Sequence, residues 1–111
     1  MAYDEDLADR IRELIAGDPH VTERRMFGGL AFLVAGHLAV AASGRAGLMV
    51  RIDPEATEDL VTGPHARPLE MRGRAMAGWL HVDAEGLKSR SQLERWVTHG
   101  VAYARSLPAR S

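Results

Sequence analysis

Arginine, histidine, serine and carboxylate side chains are the groups through which this chain can bind or react, because it contains no cysteine. That absence removes disulfides, thiolate metal sites and cysteine nucleophiles together. The histidines, His20, His37, His65, His81 and His99, never stand three to five residues apart, and no H-E-x-x-H occurs, so no metal site is expected. His37 reads as a turn residue, and His81 alternates with Trp79 as a hydrogen-bonded strand histidine. No serine sits in a glycine-flanked strand-to-helix turn: Ser43-Gly44 leads into a hairpin loop, while Ser89 and Ser91 suit a helix cap. The adjacent carboxylates of Asp4-Glu5-Asp6 and Glu58-Asp59 fall in helix first turns, where solvated charge is the default. Gly28-Gly29 precedes apolar β-like sequence rather than a helix, so it reads as a bulge and not a phosphate cradle. No catalytic residue and no cofactor is expected.

What remains is arginine: the pair Arg24-Arg25, and the group Arg67, Arg72 and Arg74, offset by Glu70. Guanidinium forks pair with carboxylate or phosphate, which makes these five the candidate contacts to a protein or nucleic-acid partner. A solvated strand edge is the plainer explanation of each. The formal net charge is −1 and the pI near 6.5, which disfavours a general nucleic-acid binder. The acids cluster early, with Asp4, Glu5, Asp6, Asp9, Glu13, Asp18 and Glu23 facing only Arg10 and Arg12, so the rest of the chain is net positive.

The elements that must carry these groups fit one domain spanning residues 1–111, large enough to bury about two thirds of its unfolded surface. Hydrophobic residues make up 46% and charged residues 26%, a balance that supports a packed core rather than disorder. The start is acidic and no apolar run approaches the ~20 residues of a membrane span, so a cytoplasmic protein is expected. Leu7, Ile11, Leu14 and Ile15 recur at helical spacing behind a capping Asp4, with Gly17 past the end. Short β-like runs follow at 24–27, 30–34, 38–41 and 48–52, the first two reading as one long strand around Gly28-Gly29. Gly36-His37 suits a two-residue type II′ turn, and Gly44–Gly47 a longer hairpin loop. Residues 30–41 are apolar on both faces, which calls for cover on both sides.

Asp53-Pro54-Glu55 starts a short helix over 54–61. Extended pieces follow within 65–74 and over Trp79–Val82. The last helix begins at the Ser91 and Glu94 capping box, and its stripe of Leu93, Trp96, Val97, Gly100, Val101, Ala104 and Leu107 ends at Pro108. Gly100 in that stripe predicts close approach to the sheet, which offsets about 1 kcal/mol of lost helix propensity. The expected class is α+β, in the order α-β-β-β-α-β-β-α, with an antiparallel sheet packed by helices.

The run Arg25-Met26-Phe27-Gly28-Gly29, with Phe32 and the Gly36-His37 turn, resembles the N-terminal domain of the TfoX/Sxy family of competence regulators. Further matches, in order, are Gly47 to Arg51, Met71 to Met76, Gly78-Trp79-Leu80, Trp96-Val97 and Gly100 to Ala104, so the likeness covers almost the whole chain. The resemblance implies a secretion-chaperone-like fold, α-β(3)-α-β(2)-α. It also implies regulation of DNA-uptake genes through a transcription factor of the cyclic-AMP receptor type, although the C-terminal helical domain of the full-length regulators is not in this sequence. The expected function is therefore a non-enzymatic regulatory or protein-interaction module, homodimeric through sheet or helix faces, with a protein partner. Direct nucleic-acid binding through the arginines is the first alternative. A small-molecule pocket or enzyme behind Gly28-Gly29, near Trp79 and His81, is the second.

Overall fold

The computed structural model describes residues 4–26, 28–44, 47–61, 63–71 and 73–108. Asp4 caps the first helix, α1 (Glu5–Ile15), by accepting the Leu7 amide at 3.1 Å, and Leu7, Ala8 and Ile11 form its buried stripe. The chain then enters β1 (Val21–Met26), β2 (Gly29–Val34), β3 (His37–Ala42) and β4 (Leu48–Arg51).

The glycine pair does not sit inside one long strand. Met26 pairs with Gly29, so β1 folds back on β2 as an antiparallel hairpin, with Gly28 at φ +75° in its connection. Glycine supplies that left-handed conformation without steric cost, whereas period-2 hydrophobicity runs through a tight hairpin much as it runs through a strand. The next turn also differs by one residue. Val34 pairs with His37, which places Ala35 (φ +50°) and Gly36 (φ +86°) in the loop. Two positive φ angles make a type I′ turn, whose twist matches that of the flanking strands.

Asp53 accepts the Glu55 amide at 2.9 Å and opens a 3₁₀ turn (Pro54–Ala56) that runs into the short helix α2 (Thr57–Leu60). The chain continues through β5 (Ala66–Met71), β6 (Arg74–Val82), a 3₁₀ turn (Ala84–Leu87) and the long helix α3 (Arg90–Ser106). The capping box of α3 is Ser89 with Gln92, two residues before the expected pair: Ser89 Oγ accepts the Gln92 amide at 3.1 Å and Gln92 Oε1 accepts the Ser89 amide at 2.9 Å. The same spacing occurs twice in the sequence. The preceding chain decides between the two, because Leu87 is buried and its carbonyl accepts from Arg10 of α1 at 2.6 Å.

The strands form one six-stranded antiparallel sheet in the order β1-β2-β3-β4-β6-β5. The α+β class and the element order are as expected, with the first long strand divided into a hairpin. One face packs Phe32, Val40, Val50 and Leu80 against Leu7 and Ile11 of α1 and Leu93, Trp96 and Val97 of α3. On the other face Ala31, Leu33, Leu38, Ala41 and Met49 form a second cluster, with Met26 and Leu69 packing in from the two edge strands and Trp79 from β6. Every residue of β2 is buried. The two-sided cover that residues 30–41 demand is thus supplied within one chain. Among the described residues, no helix is long and apolar enough to cross a membrane.

The register of β2 against β3 shifts between Phe32 and Leu33, so Ala39 is an extra residue and its backbone swells toward α3. Gly100 meets it there. A Cβ on Gly100 would lie against the Ala39 carbonyl and 2.8 Å from Val40 Cγ1. Gly100→Ala gains about 1 kcal/mol of helix propensity but overpacks a contact worth about 1–3 kcal/mol, so it lowers the melting temperature by several degrees in a thermal scan. Ala35→Asn acts in the opposite direction. It relieves up to about 1 kcal/mol of left-handed strain and raises the midpoint in urea without changing the slope.

Candidate functional site

β1 is one outer strand of the sheet, and its Thr22, Glu23, Arg24 and Arg25 are all exposed. The His20 carbonyl accepts the Ala35 amide at 3.1 Å, and Met26 opposes Gly29 across the tight turn. In an antiparallel ladder the bonded pairs alternate, so Thr22, Arg24 and Met26 turn their backbone groups toward β2. Glu23 and Arg25 turn theirs outward, to the side where no described strand lies. Among the described residues neither Arg24 nor Arg25 joins an ion pair. Glu23 differs, because Arg12 of α1 grips both its oxygens at 2.7 and 2.8 Å while also reaching Asp9.

The other arginines lie elsewhere. Arg67 is on β5 and Arg74 starts β6, at the opposite edge of the sheet, and Arg72 falls outside the described residues. Four strands separate the two edges, roughly 24 Å along a flat sheet at about 4.8 Å per strand. The fold therefore keeps Arg24 with Arg25 and does not bring them together with Arg67 or Arg74. Arg67 is also engaged, since its Nη1 donates to Asp83 Oδ1 at 2.6 Å. The β5 edge is interrupted by Pro68, which has no amide donor, and by a register shift between Pro68 and Glu70.

His81, opposite Met49, places Nδ1 3.6 Å from the same Asp83 oxygen. Its ring also stands where a Cβ on Gly47 would lie, 2.9 Å from Cε1, so Gly47 and His81 are fitted to each other. Gly29 abuts Ala42 and Gly44 and His81 abuts Gly47, at the two ends of the β3–β4 loop, which the Ser43 amide closes by donating to the Gly47 carbonyl at 3.0 Å. Trp79, two residues before His81 on β6, pairs with Arg51. No group of three potential metal ligands occurs among the described residues.

Sequence reasoning missed one cluster. The Arg51 guanidinium lies 5.7 Å from the ring centroids of both Trp79 and Tyr103, a cation–π arrangement that joins β4, β6 and α3. Its three residues come from the Gly47–Arg51, Gly78–Leu80 and Gly100–Ala104 runs, so the runs that carry the family resemblance were the available signal. The α1 and α3 ends are also tied, by Arg105 to Asp18, beside an open groove of about 410 Å³ lined by Leu14, Ile15, Val97 and Val101.

These pairs set the acid response. The His20 backbone amide first, and then Arg105, hold the Asp18 carboxyl below its usual range. Arg12 lowers that of Glu23, and Arg67 that of Asp83. A carboxylate depressed by folding contributes stability that is present above its unfolded pKa and lost as pH falls through the folded value. Arg12→Ala is accordingly less stable than the parent at pH 7, modestly so because the pair is exposed to solvent. The two denaturation midpoints converge as pH drops below the ordinary carboxylate range of about 4.

No curated protein matches the chain. The sequence profile of the TfoX N-terminal domain matches residues 13–104, from within α1 to the last turns of α3, and thus takes in every strand, the Gly100 contact and the Arg51 cluster. The chain belongs to the TfoX N-terminal domain family.

Proposed function

We propose that this protein is a non-enzymatic regulatory module that acts by contact with another protein, as the competence-regulator family to which its domain belongs suggests. The observation that carries this reading is the β1 edge. It offers a six-residue strand with outward backbone groups at Glu23 and Arg25 and two guanidinium groups that join no ion pair among the described residues, whereas the β5 edge is blunted. Sheet edges of this kind bind partners by strand addition, with main-chain hydrogen bonds supplying affinity and side chains selecting the partner.

The groove between α1 and α3 supports a second, separable proposal, a homodimer through the helical face. Direct nucleic-acid binding is less well supported, since the arginines split between two edges and Arg67 is held by Asp83. Tagged protein retains a specific partner from its native host, and Arg24→Ala combined with Arg25→Ala reduces that retention; a set of captured proteins identical to that of an unrelated bait removes the reading. Sedimentation at micromolar concentration shows a dimer, and a monomer there removes the second proposal. No DNA or RNA fragment shifts at low salt.

A further inference from the structure

We propose that the β1 edge is built to accept an extended segment of a different protein carrying two consecutive carboxylates, and to refuse a second copy of itself. This rests on the protein-interaction reading above and specifies its partner. In any added antiparallel strand, residues whose backbone groups face outward must meet residues that also face outward. On β1 these are Glu23 and Arg25.

That parity restricts self-pairing. The register overlapping all six residues would set Glu23 opposite Arg24 of the second copy and so match the charges. It is forbidden, because Arg24 directs its backbone groups into its own sheet. Of the two registers that overlap five residues, one centres on Glu23 and sets it against itself, and the other does the same with Arg24. Like charges directly opposite each other destabilise a strand pair. The Arg24-centred register does set Glu23 opposite Arg25, but both oxygens of Glu23 are already held by Arg12. Antiparallel self-association along the edge is therefore disfavoured by charge and hydrogen-bond parity acting together.

The same geometry defines what fits. Arg25 lies opposite Leu30, on the helix-packed face, and Arg24 lies opposite Ala31, on the other face. Adjacent residues of an incoming strand also point to opposite faces, so a Glu-Glu or Asp-Glu step meets both guanidinium groups at once. The ligand chemistry is a strand with two consecutive acids, one for each guanidinium group.

The test uses the full chain, isotopically labelled, and the capped peptides Val-Glu-Glu-Ser-Thr-Val and Val-Lys-Lys-Ser-Thr-Val. The first peptide shifts amide resonances along β1 and slows hydrogen exchange at Glu23 and Arg25, while Thr22, Arg24 and Met26 are already protected without it. The charge-swapped peptide binds at least about tenfold more weakly, and Arg24→Glu with Arg25→Glu inverts the preference. Arg25→Pro abolishes binding with little change in melting temperature, since its amide faces away from β2. Should that variant unfold, the charge inversion decides alone. Equal binding of both peptides, shifts away from β1, or no binding overturns the proposal. So does wild-type self-association that the double charge reversal abolishes. Loss of peptide binding with native partner capture intact defeats only this inference, whereas loss of capture defeats the broader reading independently.

Discussion

Burial of the β2–β3 hairpin on both faces is the constraint on which the remainder of the structure depends. Twelve strand positions, Gly29–Val34 and His37–Ala42, are buried except for a half-buried His37. Each large apolar side chain kept from water there contributes about 1.5–3 kcal/mol, so both faces must be covered if the hairpin is to form. Helices α1 and α3 cover one face. On the other, among the described residues, Ala31 and Ala41 lie with Leu33, Leu38 and Met49, and Met26, Leu69 and Trp79 pack against them. On the helical side the requirement reappears as contact distance. The extra residue at Ala39 brings backbone up to α3, and Gly100 leaves the space for it.

Placing the most apolar strands near the middle leaves the sheet two unlike edges. The β5 edge carries a proline and a register shift, both of which spoil a template for strand addition. The β1 edge is regular and charged instead. Charge alone discourages indiscriminate pairing, yet it leaves the backbone groups of Glu23 and Arg25 available to a strand of complementary sign. Arg12 bears on this as well, since its grip on Glu23 fastens α1 to β1 and leaves Arg24 and Arg25 as the charges that face a partner.

Most of the architecture was legible because its signals are local. Asp4 and Asp53 cap as their positions imply, the stripe of α3 lies where helical spacing places it, and Gly100 makes the close contact that its cost predicted. The errors share one cause. Gly28-Gly29, the Ala35-Gly36 turn and the Ser89 cap were each misplaced because two registers fit the same residue pattern, and only pairing or packing elsewhere selects between them. The candidate site followed the same rule. Arg24 and Arg25 are neighbours in sequence and stay together on an edge, whereas their relation to Arg67 and Arg74 depended on strand order, which no local signal contains.

Sequence by itself determined the α+β class, the order of elements, the apolar demand at residues 30–41 and the family, because periodicity, capping and short motifs act within a few residues. Tertiary structure alone decided that β1 lies at an edge, that Arg51 meets Trp79 and Tyr103, and that Glu23 and Arg25 rather than Arg24 turn their backbone outward. These are facts of register and neighbourhood. They depend on which strand pairs with which and on which peptide groups that pairing consumes, and so they are set by contacts between segments far apart in the chain.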